Sequence, residues 1–396
     1  MSKLPSKRTE INVGPQHPAL KEPETFKVVI EGEKVVEAEP ILGHVHRGIE
    51  KLAESRDYNK VLYLAERICG ICSFAHQANY AKGVEMIAEV EAPPRAQYLR
   101  MLVAELERLH SHMLWVGVLA HEIGFDTYYL LVWKDREIIM DMLEDLTGNR
   151  VNYGMNKVGG VRQDLSPELK KEFIEKIPLI REKLEEIKTI ALEDPTIKAR
   201  CNNVGIISGE LARQTCVTGP TARASGINWD LRRDSPYFAY DEVKFNVPIS
   251  EKGDVFSKIV LRIEEMFESV NIIEQVLEMI PDGEIFNKVP SRLNGKAVSR
   301  IEAPRGENFH YIDFRESKQP YRMRVRAPTY ANLASSVKVL IGHHIADVPV
   351  IVAANDPCFS CTDRTLVIDK DRGKKKLLTK EQLRLLGIKT YKEGIL

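Results

Sequence analysis

Apolar residues recur at helical spacing along much of the chain, and the longest such stretch runs from about Pro94 to Gly124. Because this repeat persists over many turns, it predicts a long helix at the centre of the fold. The same spacing, together with a Ser-Pro-Glu start at one of the sites, predicts further helices. These are Asp135–Leu146, Pro167–Leu192, Val255–Met279 and a short one at Val337–Gly342.

Three regions depart from the helical pattern. The run FKVVIEGEKVVEAEPIL, from Phe26 to Leu42, places two β-rich segments around EGEK and predicts a hairpin. Residues Lys288–Arg326 alternate in a way that is typical of strands. The stretch Cys201–Pro248 is rich in Gly, Arg and Asn, and it predicts loops with short strands.

These patterns together predict an α+β fold with a large helical core, a small N-terminal β-rich segment and a smaller mixed α/β region. We divide the chain into five parts. They are a β-rich segment (1–40), a helical core (41–281), a mixed region (282–345), a segment that returns to the core (346–364) and a basic C-terminal tail (365–396).

Composition narrows the class of protein. Lys plus Arg equals Asp plus Glu at 57 each, so no global positive field favours nucleic acid or anionic lipid. No apolar stretch approaches the roughly 20 residues that a membrane-spanning helix requires. The N-terminal residues lack the apolar region of a secretory signal, so we expect no signal peptide. Protein surfaces are therefore the expected partners.

The strongest chemical feature is a pair of Cys-x-x-Cys motifs at opposite ends of the chain. Cys69 and Cys72 lie in RICGICSFAH, and Cys358 and Cys361 lie in DPCFSCTDR. Two such pairs can bring four thiolates to one soft metal ion. From the residues alone a structural zinc, an iron–sulfur cluster, a redox disulfide and unrelated thiols all remain possible. The apolar flanks of both motifs predict a deeply buried site.

The remaining two cysteines, Cys201 and Cys216, stand alone in the sequence. Without a signal peptide, six cysteines in a chain of this length do not indicate a disulfide scaffold. We interpret both as buried structural thiols.

RICGICSFAH and DPCFSCTDR resemble the two signatures of the large subunits of nickel–iron hydrogenases. Four other segments resemble a narrower branch, the energy-converting membrane-bound hydrogenases, and equally the quinone-site large subunit of respiratory complex I. They are GPQHP from Gly14, HRGIEKLAE from His46, GPTARASGINWDLRRDSPY from Gly219 and GDVFSKIVLRIEEM from Gly253. The likeness extends from about Val13 to Arg364.

The resemblance implies a nickel–iron centre, with Cys69 and Cys358 as terminal nickel ligands. Cys72 and Cys361 would bridge nickel to an iron that carries carbonyl and cyanide ligands. The resemblance also implies that His76 bonds to a bridging sulfur, which would tune the basicity of that thiolate.

Four further residues acquire roles through the resemblance. Arg305 would lie above the open metal position, Pro304 and Asp356 would belong to the cofactor pocket, and Glu50 would pass protons from a terminal cysteine toward solvent. Three of the residues with implied roles have a simpler interpretation without the cysteines: His76 as a core histidine, Glu50 as a surface ion-pair member and Arg305 as a turn residue.

The family also implies a cellular setting. Because the chain has no further cysteine-rich motif, a [4Fe-4S] cluster would be held by an iron–sulfur small subunit. Membrane-embedded complex I-like and antiporter-like subunits would anchor the chain at the cytoplasmic side of the cell membrane, where it is peripheral. The resemblance further implies that the tail is removed after Arg364 on maturation.

Two functions remain open at this point. The first is a catalytic large subunit of a hydrogenase that cleaves H2 or reduces protons. The second is a complex I-like subunit of a membrane oxidoreductase that reduces a quinone, sulfane or polysulfide. That relative would have kept the cysteines without a functional nickel–iron centre.

Overall fold

A computed structural model describes residues 8–17, 20, 22–362, 367–369, 374–376, 385–389 and 392. The fold is α+β, as predicted, with a helical core and small antiparallel sheets on either side of it in the sequence. Arg364 and most of the tail lie outside the described residues. Within the described part of the chain, no helix combines the length and apolarity needed to cross a membrane.

Thirteen helices precede the second cysteine motif in the described residues. They are α1 Ile49–Ala53, α2 Tyr58–Glu66, α3 Ser73–Ala88, α4 Pro94–Glu122, α5 Asp126–Thr147, α6 Pro167–Glu193, α7 Pro195–Cys201, α8 Gly209–Gln214, α9 Gly219–Arg223, α10 Leu231–Asp234, α11 Val255–Met279, α12 Pro328–Leu340 and α13 Val348–Ala354. Single 3₁₀ turns occur at Ile345–Asp347 and Phe359–Cys361.

The described strands form four small sheets. Their bounds are β1 Arg8–Val13, β2 Thr25–Glu31, β3 Lys34–Ile41, β4 Asn156–Lys157, β5 Gly160–Val161, β6 Leu293–Ala303, β7 Gly306–Ser317, β8 Pro320–Arg326, β9 Val367–Asp369 and β10 Lys374–Lys376. The pairings β1-β2-β3 and β6-β7-β8 are antiparallel, and β2 with β3 confirms the predicted hairpin.

Helix α4 is the centre of the core, as the sequence predicts. It begins with Pro94 at its first position, where the missing N–H costs no helical hydrogen bond. It packs against α5 and α11, and it buries large side chains such as Trp115. Helix α11 has the predicted bounds, whereas α5 starts at Asp126 and so extends the prediction toward the N-terminus.

The sheet formed by β6, β7 and β8 packs against α3. Gly83 of α3 faces this sheet, and a Cβ there would lie 2.8 Å from both Ile312 Cδ1 and Ser299 Oγ. The absence of a side chain therefore lets helix and sheet approach closely, which fixes α3 and the motif that precedes it against β6 and β7.

Two sequence predictions need correction. The region Cys201–Pro248 contains the short helices α8, α9 and α10 and no strand among its residues, all of which are described. Composition identified the breaks between elements but not the tertiary contacts that stabilise single helical turns. The predicted helix Val337–Gly342 is only the end of α12, which begins at Pro328 and ends at Leu340.

Candidate metal centre

The four cysteines of the two motifs lie together in the core. Cys69 and Cys72 occupy the turn between α2 and α3, whereas Cys358 and Cys361 follow α13. One atom of each forms a group within 4.8 Å, and each residue is at most 5% exposed. The Sγ–Sγ distances are 3.2 Å for Cys69–Cys358, 4.0 Å for Cys72–Cys361 and 3.0 Å for Cys358–Cys361. The sequence predicts this shared site.

The thiols affect one another's ionisation. Hydrogen bonds from Cys358, Cys361 and Cys72 hold the pKa of Cys69 well below its usual range, against the effect of burial. Burial, reinforced by hydrogen bonding to Cys358, raises the pKa of Cys361 well above its usual value. One buried thiolate therefore disfavours further ionisation of its neighbours, and four thiolates would require a bound cation to balance their charge.

His76 lies beside Cys361. Its Nε2 is 3.4 Å from Cys361 Sγ, and its Nδ1 is 3.3 Å from Asn308 Nδ2. Because the same Asn308 amide nitrogen also approaches Ala75 O, the amide faces His76 as a donor. His310 Nε2 also lies 3.2 Å from His76 Nδ1. In the tautomer in which Nδ1 accepts from Asn308, Nε2 carries the ring proton and donates to the sulfur. Burial lowers the pKa of His76 to about 4, which keeps the ring neutral.

Arg305 reaches the second motif from the turn between β6 and β7. Its Nη2 is 2.8 Å from Asp356 Oδ1, and its Nε donates to Asp356 O at 3.0 Å. Burial alone would lower the pKa of Arg305, but Asp356 and the nearby thiols raise it, so the side chain stays charged. Pro304 is buried in the same turn, and Asp356 adopts a left-handed backbone (φ 50°) just before the Pro-Cys step.

A close backbone approach supports this turn. A Cβ on Gly219, at the start of α9, would lie 2.4 Å from Arg305 O, so only glycine allows α9 to pack there. Arg223 at the end of α9 is fully buried and donates to Glu265 at 2.7 Å and to Glu302 at 2.9 Å. The segment GPTARASGINWDL therefore contributes buried charges behind the Arg305 turn.

Glu22 is a site residue that the sequence analysis missed. One carboxylate oxygen lies 4.0 Å from Cys358 Sγ, and the other accepts from Ser360 N at 2.9 Å; the Ser360 hydroxyl also bonds to the carboxylate. Glu50 instead accepts from Arg324 Nη1 at 2.6 Å and from Val325 N at 2.9 Å. Only the EP pair after GPQHPALK could have drawn attention to Glu22.

Glu107 is a second missed residue. This buried carboxylate of α4 accepts from the backbone N–H groups of Phe74 and Ala75 at 2.7 and 3.0 Å. Those groups belong to the first turn of α3, where helical N–H donors lack intrahelical partners. Glu107 therefore anchors the helix that follows Cys72. Burial raises its pKa well above the usual value.

Cys201 and Cys216, the two cysteines outside the motifs, differ in their exposure to solvent. Cys201 is fully buried, as predicted, and burial raises its pKa to about 12. The prediction that Cys216 is buried is wrong: it is exposed. Cys216 follows the C-cap residue of α8 and has a left-handed backbone (φ 54°), because the chain reverses there.

The donor set fits a soft metal. The four thiols are buried and lie close to one another, as common coordination requires. Asp356 Oδ2 is buried and lacks a hydrogen-bond partner among the described residues, whereas Oδ1 pairs with the Arg305 guanidinium. A polar group bound at this site would supply that partner.

Comparison with known proteins matches most of the chain to two related family models. The model of the respiratory-chain NADH dehydrogenase 49 Kd subunit matches residues 122–293 and 287–364. The nickel-dependent hydrogenase model matches residues 47–121, which include the first Cys-x-x-Cys motif.

Individual relatives agree with these models. The membrane-bound hydrogenase subunit alpha of Pyrococcus furiosus is 40% identical, over 97% of this chain and 93% of the relative. Formate hydrogenlyase subunit 5 of Escherichia coli is 37% identical, over 96% and 68%. An NADH-quinone oxidoreductase subunit of Dehalococcoides mccartyi is 34% identical, over 89% and 98%.

Among solved structures, a chain of the membrane-bound sulfane sulfur reductase, an archaeal respiratory membrane complex, superimposes with a TM-score of 0.86. It is 31% identical, and the match covers 90% of this chain and 98% of that one.

Proposed function

Because this chain belongs to the family of large subunits shared by membrane-bound hydrogenases and NADH–quinone oxidoreductases, we propose that it is the catalytic large subunit of an energy-converting nickel–iron hydrogenase. The reaction would be the heterolytic cleavage of H2 or its reverse, the reduction of protons. The observation that carries the proposal is the group of four buried thiols, two of which lie within the match to the nickel-dependent hydrogenase model.

The four cysteines would hold the metals. In this proposal Cys69 and Cys358 are terminal nickel ligands, and Cys72 and Cys361 also bind an iron with carbonyl and cyanide ligands. When bound, the pair of metals supplies a Lewis acid that polarises H2. The Nε2–H of His76 would reduce the electron density on the Cys361 sulfur through its hydrogen bond. Pro304 and Asp356 would line the pocket beside the iron ligands.

Proton transfer would begin at Glu22. Its carboxylate lies beside the Cys358 sulfur, whereas Ser360 holds it in place through two hydrogen bonds. When the sulfur of this terminal cysteine is protonated, a carboxylate within reach can accept the proton and leave the thiolate. Glu50, the relay implied by the resemblance, remains a candidate for a later step. Arg305, fixed by Asp356, would supply a buried positive charge beside the site.

Electrons would leave through a partner. Besides the four thiols of the site, the chain has only Cys201 and Cys216, too few to hold a cluster. A [4Fe-4S] cluster in an iron–sulfur small subunit would therefore take the electrons. Membrane-embedded complex I-like and antiporter-like subunits would complete the complex at the cytoplasmic side of the membrane, in line with the membrane complexes named for its relatives.

Metal analysis of the native complex tests the proposal. We expect nickel and iron in the purified complex together with H2 evolution from a low-potential donor. Cys358→Ser should abolish nickel retention, because a neutral hydroxyl is a poor ligand at a soft thiolate site. Cys216→Ser is the matched control, since it makes the same change at an exposed position. Normal nickel content in Cys358→Ser would contradict the ligand assignment.

A second function is favoured by the structural comparison. The superposition with the sulfane sulfur reductase chain suggests a subunit that reduces a sulfane, polysulfide or quinone acceptor without a nickel–iron centre. A native complex that lacks nickel and H2 activity but reduces one of these acceptors would establish this alternative.

A further inference from the structure

Arg47 contacts the backbone of both Cys-x-x-Cys motifs at once. Its Nη1 donates to Arg67 O at 2.9 Å, and its Nη2 donates to Ile68 O at 2.7 Å. The same Nη2 also donates to Ser360 O at 3.2 Å. Ile68 immediately precedes Cys69, whereas Ser360 lies between the two cysteines of the second motif. One side chain therefore joins two segments from opposite ends of the chain.

The chemistry of these groups fixes the direction of each hydrogen bond. A guanidinium has only N–H donors, and a backbone carbonyl oxygen can only accept. Because Nη2 carries two hydrogens, it can donate one to Ile68 O and one to Ser360 O at the same time. The planar arrangement of guanidinium donors suits acceptors on two different segments better than a single ammonium does. The link between the motifs therefore depends on the shape of the Arg47 side chain as well as on its charge.

The segment that carries Arg47 is itself fixed to the rest of the fold. Helix α1 begins two residues after Arg47 and packs against β8. Glu50 of α1 accepts from Arg324 Nη1 at 2.6 Å and from Val325 N at 2.9 Å, and both partners belong to β8. Arg47 therefore reaches the two motifs from a support that belongs to neither of them.

The two motifs each supply only half of the donor set. The first precedes α3 and the second follows α13, and the four thiol groups lie within 4.8 Å of one another. They keep this arrangement only while the two segments remain adjacent. Local separation of the segments would expose the thiols, and any metal held between them, to solvent. Such a separation would break the contact of Arg47 with Ile68 or its contact with Ser360.

We propose that Arg47 holds the two cysteine motifs together, and that it thereby slows both the local opening of the site and the release of a bound metal. The effect on metal release rests on the proposed function, whereas the effect on opening concerns the chain alone. Arg47 is a positioning residue, since it acts on the thiols through the backbone of Ile68 and Ser360.

Thiol labelling measures the opening without any metal. The full chain, produced without nickel, is kept under anaerobic conditions with iodoacetamide, and labelling of each cysteine is followed by peptide mass spectrometry. A buried thiol reacts only when the structure opens, and slow labelling tracks the population of the open form. Arg47→Gln should speed labelling of the four motif cysteines about tenfold, which corresponds to the loss of roughly one net hydrogen bond. Cys201 is the internal control: it is fully buried outside the motifs and should react at the parent rate.

Cobalt release tests the effect on the metal without hydrogenase activity. The full chain is loaded with Co²⁺, excess EDTA is added, and decay of the sulfur-to-cobalt charge-transfer absorption is recorded. Arg47→Gln should lose the absorption about tenfold faster than the parent, as expected when a residue that supports the metal ligands is removed. The spectrum before EDTA is added should be unchanged, because all four sulfurs remain.

Two variants separate the link between the motifs from the charge. Arg67→Gln removes a positive charge beside the first motif, but the Arg67 side chain donates to Tyr63 O and Glu66 Oε2, which both precede that motif. The Arg67 carbonyl that Arg47 contacts stays in place, so this variant should match the parent in both assays. Arg47→Lys keeps the charge but loses the planar set of donors, so its labelling and release should remain faster than in the parent.

Several outcomes would overturn the inference. Parent-like labelling in Arg47→Gln would refute it, and so would equal acceleration at Cys201, which reports a general loss of stability. An equal effect in Arg67→Gln, or parent behaviour in Arg47→Lys, would assign the effect to charge alone. If Arg47→Gln fails to fold, the comparison of Arg47→Lys with the parent carries the test.

The two assays also keep this inference distinct from the proposed function. A parent chain that binds no Co²⁺ would refute the metal centre, and the labelling rates alone would then decide the role of Arg47. The expected results in a chain whose native complex lacks H2 activity would refute only the proposed reaction.

Discussion

Replacing Glu22 by Gln removes the titratable proton beside Cys358 and leaves the local structure nearly intact. The amide oxygen of the glutamine can still accept from Ser360 N, and its amide nitrogen can donate to the Ser360 hydroxyl. The side-chain volume is unchanged. A fall in turnover would therefore report the loss of proton transfer rather than the loss of packing.

The expected loss of turnover in Glu22→Gln follows from the proposed role of Glu22 in proton transfer. General acid–base catalysis by one positioned group contributes about 10²–10⁴-fold to a rate. That range corresponds to roughly 2.7–5.5 kcal/mol of activation free energy. Because the carboxylate is only 4.0 Å from the sulfur, we expect Glu22→Gln to lower H2 turnover by at least about a hundredfold while nickel content stays normal.

Glu50→Gln is the matched comparison. It makes the same chemical change in a carboxylate that bonds to Arg324 and Val325. The Arg324 side chain is 52% exposed, so loss of this ion pair should cost no more than about 1 kcal/mol of stability. We expect a smaller loss of turnover than in Glu22→Gln.

The assay is H2 evolution from a reduced viologen, normalised to bound nickel, together with exchange between D2 and water protons. The exchange reaction needs no electron partner and therefore isolates proton transfer. Full D2 exchange in Glu22→Gln together with its loss in Glu50→Gln would refute the role that we assign to Glu22 from its contact with Cys358. Glu50 would then be the proton relay, as the resemblance implies.

Three further predictions follow from the site and its surroundings. Arg305→Lys should lower nickel-normalised turnover at least about tenfold, because an ammonium cannot bond to both the carboxylate and the backbone of Asp356; unchanged turnover would make Arg305 structural. Burial and Asp230 raise the pKa of Glu302 from 4.5 to about 7, so the folded state binds the carboxyl proton of Glu302 more tightly than the unfolded state does. The free energy of unfolding therefore falls as pH rises between these two values. Glu302→Gln should therefore exceed the parent in free energy of unfolding at pH ~8, by up to about 3 kcal/mol, and equal curves in denaturant titrations would contradict this. Intact mass should show a nickel-containing subunit that ends at Arg364, whereas a nickel-free chain that ends at Leu396 would favour the second function.

The parts of the fold that the sequence predicts well are those that follow from local periodicity. Helices α4 and α11 carry apolar residues at helical spacing over many turns, and their bounds agree closely with the prediction. The hairpin of β2 and β3 is specified by two β-rich runs and a short turn. The two cysteine motifs were also recognisable, because two Cys-x-x-Cys pairs can bring four thiolates to one soft metal ion, although other uses of the thiols remained possible from the residues alone.

The parts that were missed depend on contacts between distant segments. Glu22 lies outside any regular element, and its partners Cys358 and Ser360 follow more than 300 residues later. Glu107 belongs to an apolar helix, where a single carboxylate is indistinguishable from a surface charge until α3 is placed above it. Sequence periodicity assigns such residues to a face, whereas their partners are determined by tertiary packing.

The buried charges behind Arg305 are the least expected feature of the chain, and stability does not account for them. Arg223, Glu265 and Glu302 are almost wholly removed from solvent, and burying ion pairs commonly costs more in desolvation than attraction returns. Such hydrogen bonds instead fix the relative orientation of the groups that they join, because each guanidinium N–H holds one carboxylate oxygen at a defined position. Arg223 therefore orients α9, and Gly219 at the other end of α9 packs on the Arg305 turn. Under the proposed function, the segment that begins GPTAR serves to hold Arg305 in place beside the four thiols.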